Sequence, residues 1–165
     1  MDARFNPPTT GATANEIDNH CDVSARMVAA GSALSVTEAL HAGRTIALDT
    51  AAGSTCTLPA STGSGAIYRF AVTVLATSNS HIIKVANSTD VLRGCILNND
   101  SDSSEAFTGF NTTATSDTIT LNRSTTGSVQ IGEMIEIQDI KAGFFSVRGW
   151  VASTGSPATP FSATV

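Results

Sequence analysis

Charge is what this chain has least of. Only 14% of its 165 residues are Asp, Glu, Lys or Arg, against roughly 25% in typical soluble domains. The nine basic residues stand singly, and the formal net charge is −5. Neutralising a phosphate backbone needs clustered Lys and Arg, so nucleic acid is excluded as a partner. Aromatic residues make up 5%, with one tryptophan, Trp150, and one tyrosine, Tyr68, which leaves few platforms for stacking sugars. Cys21, Cys56 and Cys95 are odd in number and widely spaced. They fit neither a disulfide framework nor a CxxC metal site, and read as reduced thiols. No run approaches the roughly 18 to 20 apolar residues of a membrane-spanning helix, and MDARFNPPTTGATANE lacks the basic and apolar regions of a signal peptide. No membrane partner is expected, and synthesis in a cytoplasm is.

Catalytic constellations are missing as well. His20, His41 and His81 form no HxH, HExxH or HxxxH pair that would place two imidazoles on one metal. His20-Cys21-Asp22 has the residue types of a thiol nucleophile, but lies where nothing would fix its geometry. Gly63-Ser64-Gly65 is neither a nucleophile elbow nor a phosphate loop and reads as a turn. The run Asn98 to Glu105 alternates oxygen ligands, yet lacks the glycine and frame of a calcium loop, so it reads as a solvated loop. Asp49, Asp90, Asp117, Glu133, Glu136 and Asp139 are the carboxylates from which a glycosidase pair would be drawn. The Asn-x-Ser/Thr matches at Asn87, Asn99, Asn111 and Asn122 are what a Ser/Thr-rich chain gives by chance. The expectation is a protein that is not an enzyme and carries no cofactor and no metal.

What the chain does have is alternation. In the stretch from Arg44 to Val74, Ile46 and Leu48 oppose Thr45 and Ala47, Cys56 and Leu58 oppose Thr55 and Thr57, and Tyr68, Phe70 and Val72 oppose Arg69, Ala71 and Thr73. Period-two patterning between Gly/Ser/Thr/Pro turns predicts strands with one apolar face. The same logic predicts strands near 35–40, 44–49, 54–58, 66–76, 81–86, 90–97, 117–122, 128–131, 133–139 and 143–152. Glu136, Gln138 and Arg148 then face outward, and the proline-bearing tail from Ser153 serves as an edge or strap. The expected fold is all-β, an antiparallel β-sandwich or jelly-roll-like barrel over residues 34–165. No heptads and no repeat of fixed period occur, which counts against fibre shafts and solenoids.

Residues 1–33 differ. Pro7-Pro8 and Thr9-Thr10-Gly11 favour an extended path, with a possible short helix over Ile17 to Ala30. Phe5, Ile17, Val23 and Met27 are too sparse for a private core, so this N-terminal arm must lie on its own domain or a neighbour, or stay mobile. On the opposite face from Val147 and Val151, Phe144 and Trp150 would pack beneath a second sheet or form an interface patch. With Lys84 and Lys141 as the only lysines, charge protection of sheet edges is weak, and homo-oligomerisation is expected.

GRTIALDTAAGSTCTLPASTGSG followed by AIYRFAVTV, and later GEMIEIQDIKAGFFSVRGWVASTGSPATPFSATV, resemble structural proteins of tailed-bacteriophage virions, in particular head decoration or cement proteins. The resemblance spans about residues 42–165 and is one of strand and turn style. It implies a small β-rich virion protein on the capsid exterior. Its partners would be the major capsid protein and further copies of itself, a trimer before a dimer. A tail-fibre, head-fibre or baseplate module contacting a host receptor is the alternative, and a carbohydrate-binding β-sandwich a third reading. Interface residues on this view are Phe5, Ile17, Val23, Met27, Phe144 and Trp150.

Overall fold

A computed structural model describes residues 26–102 and 107–165. At 46% strand and 3% helix, the fold is all-β. Among the described residues the strands are β1 (Met27–Ala29), β2 (Ala33–Ser35), β3 (Thr45–Leu48), β4 (Thr55–Thr57), β5 (Ile67–Val72), β6 (His81–Lys84), β7 (Val91–Asp100), β8 (Thr108–Asn111), β9 (Thr118–Leu121), β10 (Met134–Lys141), β11 (Phe144–Ser153) and β12 (Phe161–Ser162), and Glu38–His41 forms a helical turn, α1. A seven-stranded sheet runs β1-β3-β5-β10-β11-β7-β8 and a five-stranded sheet β12-β9-β6-β4-β2. Both contribute to one hydrophobic core: Ile46, Phe70, Ile137 and Ile96 from the larger sheet meet Cys56, Ile83, Ile119 and Leu121 from the smaller. Alternation built this arrangement, because each strand buries every second side chain and the rest point away.

The sheets are mixed, which corrects the expectation of antiparallel pairing. β1–β3, β3–β5, β2–β4, β4–β6 and β7–β11 pair in parallel. The cause lies in the path of the chain. From β1 to β6 it adds strands alternately to the larger and the smaller sheet, so each return to a sheet runs in the same direction as the last. This is a coil of parallel turns of unequal length, from Met27 to Thr45 and then from Thr45 to Arg69. The inequality hides the coil from any search for a fixed period. Gly94 makes the parallel β7–β11 contact possible: its φ is +148°, and a Cβ there would lie 1.8 Å from the Val147 carbonyl oxygen.

Several expected elements differ. Of residues 1–33, the part that is described is woven into both sheets: β1 pairs with β3 and β2 with β4, and Ala30 is buried. Met27–Ala29 is therefore strand where a helix over Ile17 to Ala30 was expected, and residues 17–25 lie outside the described residues. In the 35–40 region, Glu38–His41 forms α1, and buried His41 accepts the Thr37 N–H on Nδ1 at 2.9 Å. Residues 128–131 form no strand because the Glu133 carboxylate takes the backbone N–H groups of Ser128, Val129 and Gln130, each at 2.7 Å. The tail does become an edge, β12. All four edge strands, β1, β8, β2 and β12, are short, and short edges themselves limit pairing with other chains.

Candidate functional site

The six carboxylates that could have supplied acid–base chemistry are each engaged in holding the frame. Asp49 accepts the Gly31 N–H at 2.8 Å. Asp90 accepts the Ser61 N–H and the Asn87 side-chain amide, both at 2.9 Å. Asp117 ties down the tail, accepting from the N–H groups of Thr164 and Val165 and the Thr118 hydroxyl. Asp139 gathers the Thr62-Gly63-Ser64 turn with N–H contacts of 2.9, 2.7 and 3.2 Å and the hydroxyls of Thr62 and Ser64. Burial works to raise the Asp139 and Asp117 carboxyls, but the hydrogen bonds outweigh it and both lie below the usual range. Glu133 goes the other way: burial raises it, and the N–H groups it accepts offset only part. Glu136 is clamped between Arg69 Nε at 2.9 Å and Arg148 Nε at 2.8 Å.

The imidazoles of His41 and His81 and the thiol of Cys56 are likewise internal. His81 accepts the Ser54 N–H on Nδ1 and donates from Nε2 to the Val74 carbonyl oxygen, at 3.0 and 2.9 Å. That pairing uses both ring nitrogens of the neutral form, and burial lowers the ring's proton affinity. Cys56 is buried and its thiol is pushed up to about 12 by burial first and by Asp49 second. His20 and Cys21 lie outside the described residues, as do Ser103 to Glu105 of the acidic loop. Among the described residues no group of three or more His, Cys, Asp or Glu is placed to hold a metal ion. The hollow lined by Ser32, Ala52, Gly53, Thr55, Asn79, Ser80 and Ile82 is broad and open and holds no ionisable side chain.

The outer face of the larger sheet is different in kind. Cross-strand register sets Met134 beside Trp150 and Trp150 beside Leu97, and these three are 40%, 40% and 46% exposed. The same row continues through Ala71 and Ala47 to Ala29 at the β1 edge. Phe107, just before β8 and 63% exposed, falls on this face by alternation from Thr108. The adjacent row reads Met27, Thr45, Arg69, Glu136, Arg148 and Cys95. It sets an ion triad alongside the apolar stripe, with Arg148 78% exposed at its side chain. The exposed apolar part of this face is therefore Met134, Trp150, Leu97 and Phe107, since Ala47 and Ala71 are buried.

Of the residues singled out from the sequence, Met27 and Trp150 sit on this face, while Phe5, Ile17 and Val23 lie outside the described residues. Phe144 points to the same side but does not join Trp150, since six residues along a strand span roughly 20 Å. Its ring instead lies beneath Arg93 and Lys141, 5.7 and 5.5 Å from the centroid. Met134 and Leu97 complete the stripe and were missed. The inward setting of Ile135 implied Met134 outward, but the neighbour relation of Leu97 and Trp150 needs the parallel β7–β11 register, which alternation does not give. No family model, curated protein or solved structure matches this chain.

Proposed function

We propose that this chain is a structural virion protein of a tailed bacteriophage, a β-sandwich or jelly-roll-like module that binds the outer surface of the capsid and stabilises it as a decoration protein. The observation that carries this reading is the exposed Met134–Trp150–Leu97 stripe on a frame whose candidate catalytic carboxylates are all engaged, five with backbone N–H groups and Glu136 with Arg69 and Arg148. Such a molecule acts by contact area. The seven strands, of 3, 4, 6, 8, 10, 10 and 4 residues, cover about 700 Å² at about 3.3 Å per residue and about 4.8 Å between strands, close to the roughly 800 Å² per partner of a standard stable interface. Contact with the major capsid protein, multiplied by self-association into a trimer, would give avidity on a symmetric shell. Incubating the protein with empty phage capsids and sedimenting them tests this. Saturable co-sedimentation at micromolar concentration is expected, and its absence would defeat the proposal.

A fibre or baseplate module contacting a host receptor is the second reading. The coiled parallel path from β1 to β6 favours it, because elongated parts are built by adding such turns. Binding to host cells with no binding to capsids would select it. Release of saccharide or retention on a glycan array would instead favour a carbohydrate-directed module.

A further inference from the structure

We infer that the outer face of the larger sheet docks a protein surface on which apolar side chains stand beside carboxylates. The stripe of Met134, Trp150 and Leu97 takes the apolar groups, and Arg69 and Arg148 take the acidic ones. Naming the capsid exterior as the source of that surface rests on the proposed function; its chemistry is read from the face itself.

Charge is segregated here. The chain has a net charge of −5, yet the outward strand positions of this face carry Arg69, Arg93 and Arg148 against the one carboxylate of Glu136. Asp139, on the same strand as Glu136, points inward and is buried. The two oxygens of Glu136 are divided between two guanidinium groups: Oε2 accepts from Arg69 Nε at 2.9 Å, and Oε1 accepts from Arg148 Nε at 2.8 Å and from Arg148 Nη2. The Glu136 side chain is 17% exposed, those of Arg69 and Arg148 36% and 78%. One sunken acid thus holds two cations by their inner edges. Among the described residues, nothing accepts from either Nη of Arg69 or from Nη1 of Arg148. A simple ion pair would leave no charge over. This triad leaves one positive charge and free donor tips already fixed in place, which lowers the ordering cost of binding a carboxylate.

Position ties those tips to the stripe. Arg148 precedes Trp150 by two residues on β11, and Glu136 follows Met134 by two on β10, so the charged row runs beside the apolar row about 7 Å away. A partner that reaches both rows gains apolar burial and charge-assisted hydrogen bonds together. Phosphate-rich partners are poorer occupants. Nucleic acid and anionic lipid reward clusters of free cations, whereas Arg93 is committed to the Thr113 and Ala114 carbonyls and the apolar stripe would be left against hydrated phosphates. A second copy has little to offer the tips, because Asp49, Asp90, Asp117, Glu133 and Asp139 are engaged by backbone N–H groups of their own chain.

Selecting a yeast-displayed library of random peptides of about twelve residues against the full-length protein tests the inference. Enriched peptides would be synthesised with a fluorescent label and titrated by anisotropy against wild type, Arg148→Gln and Trp150→Ala, with circular dichroism confirming an unchanged fold. Both positions are exposed, and Arg148→Gln leaves Glu136 paired with Arg69. The peptides should carry Asp or Glu among Leu, Phe or Trp and bind each variant at least about tenfold more weakly than wild type. Their binding to wild type should also weaken about tenfold between about 50 and about 500 mM salt. Enrichment of basic or uncharged peptides, no enrichment, or equal binding to wild type and Arg148→Gln overturns the inference. Tighter retention of the wild type on phosphatidylglycerol vesicles or single-stranded DNA than on the acidic peptides also overturns it and reassigns the face to phosphate. Capsid co-sedimentation is a separate readout. Acidic peptides bound without capsid binding would defeat the decoration reading alone, and capsid binding indifferent to Arg148→Gln would defeat this inference alone.

Discussion

Replacing Asp139 by Asn tests whether buried carboxylates hold this fold together. The carboxylate accepts three backbone N–H groups and two hydroxyls from Thr62 to Ser64 and is 3% exposed. Asparagine keeps one acceptor oxygen; set where Oδ2 accepts four of the five bonds, it loses the Gly63 N–H bond outright, turns an NH2 toward that donor and removes the charge behind the other four. Hydrogen bonds to a charged group are worth about 1.5–3 kcal/mol each. Gly63 and Ser64 are exposed and water can replace part of the loss, which leaves a cost of about 2–4 kcal/mol. At roughly 2–4 °C per kcal/mol for a chain of this size, Tm should fall by about 5–15 °C. The pH dependence fixes the cause. The folded pKa of Asp139 is depressed, so its contribution is full above the unfolded value of about 3.9 and fades as pH falls through the lower folded value. Urea denaturation from neutral to acid pH should therefore show the full gap between wild type and variant at pH near 7 and a narrowing gap below about pH 4. A cost below about 0.5 kcal/mol, within the range of ordinary surface changes, would refute the reasoning. A gap that stays constant into strong acid would refute it equally.

Gly94→Ala should abolish the soluble native fold or cost more than about 4 kcal/mol, because its Cβ would strike the Val147 carbonyl oxygen at 1.8 Å; thermal melts of the soluble fraction check this. Glu133 has the opposite linkage to Asp139. Its folded pKa is raised, mainly by burial, so its ionisation disfavours the fold as pH rises from the unfolded value of about 4.3 through the folded one, and Glu133→Gln should remove that part of the slope in Tm against pH. Cys56, buried and with its thiol pushed up to about 12, should resist a thiol-specific reagent in the native protein at mildly alkaline pH and react on unfolding, as mass spectrometry of the labelled peptide would show. Native labelling of Cys56 at the rate of a free thiol would contradict its placement.

How far the fold could be read from sequence followed the strength of alternation. Tyr68, Phe70, Ile135, Ile137, Phe145 and Val147 repeat at intervals of two in runs long enough to declare both strand and inward face. β1, β2 and β12 have two or three residues each, too few to show a period. Their place is set by hydrogen bonding to neighbours distant in the chain. Val129 and Ile131 carry strand-like residue types, yet Glu133 draws that backbone into a loop, a tertiary effect that outweighs β propensity. The parallel pairings were hidden because direction depends on where a chain crosses between sheets, which composition does not encode. At the candidate site, the outward setting of Glu136 and Arg148 could be read strand by strand. The Met134–Trp150–Leu97 stripe could not, since it exists only through the register of three strands.

On the proposed function, the outer face of the larger sheet is where this protein would meet a phage shell. Quantitative co-sedimentation with empty capsids, comparing wild type with Trp150→Glu and Met134→Glu, tests it most directly. Both residues are 40% exposed, so the substitutions should leave the melting temperature nearly unchanged. Wild type should saturate the shell at micromolar concentration, with occupancy falling at least tenfold in either variant, a loss of about 1.4 kcal/mol or more. Wild-type occupancy in both folded variants, or no capsid association by the wild type, would contradict the claim.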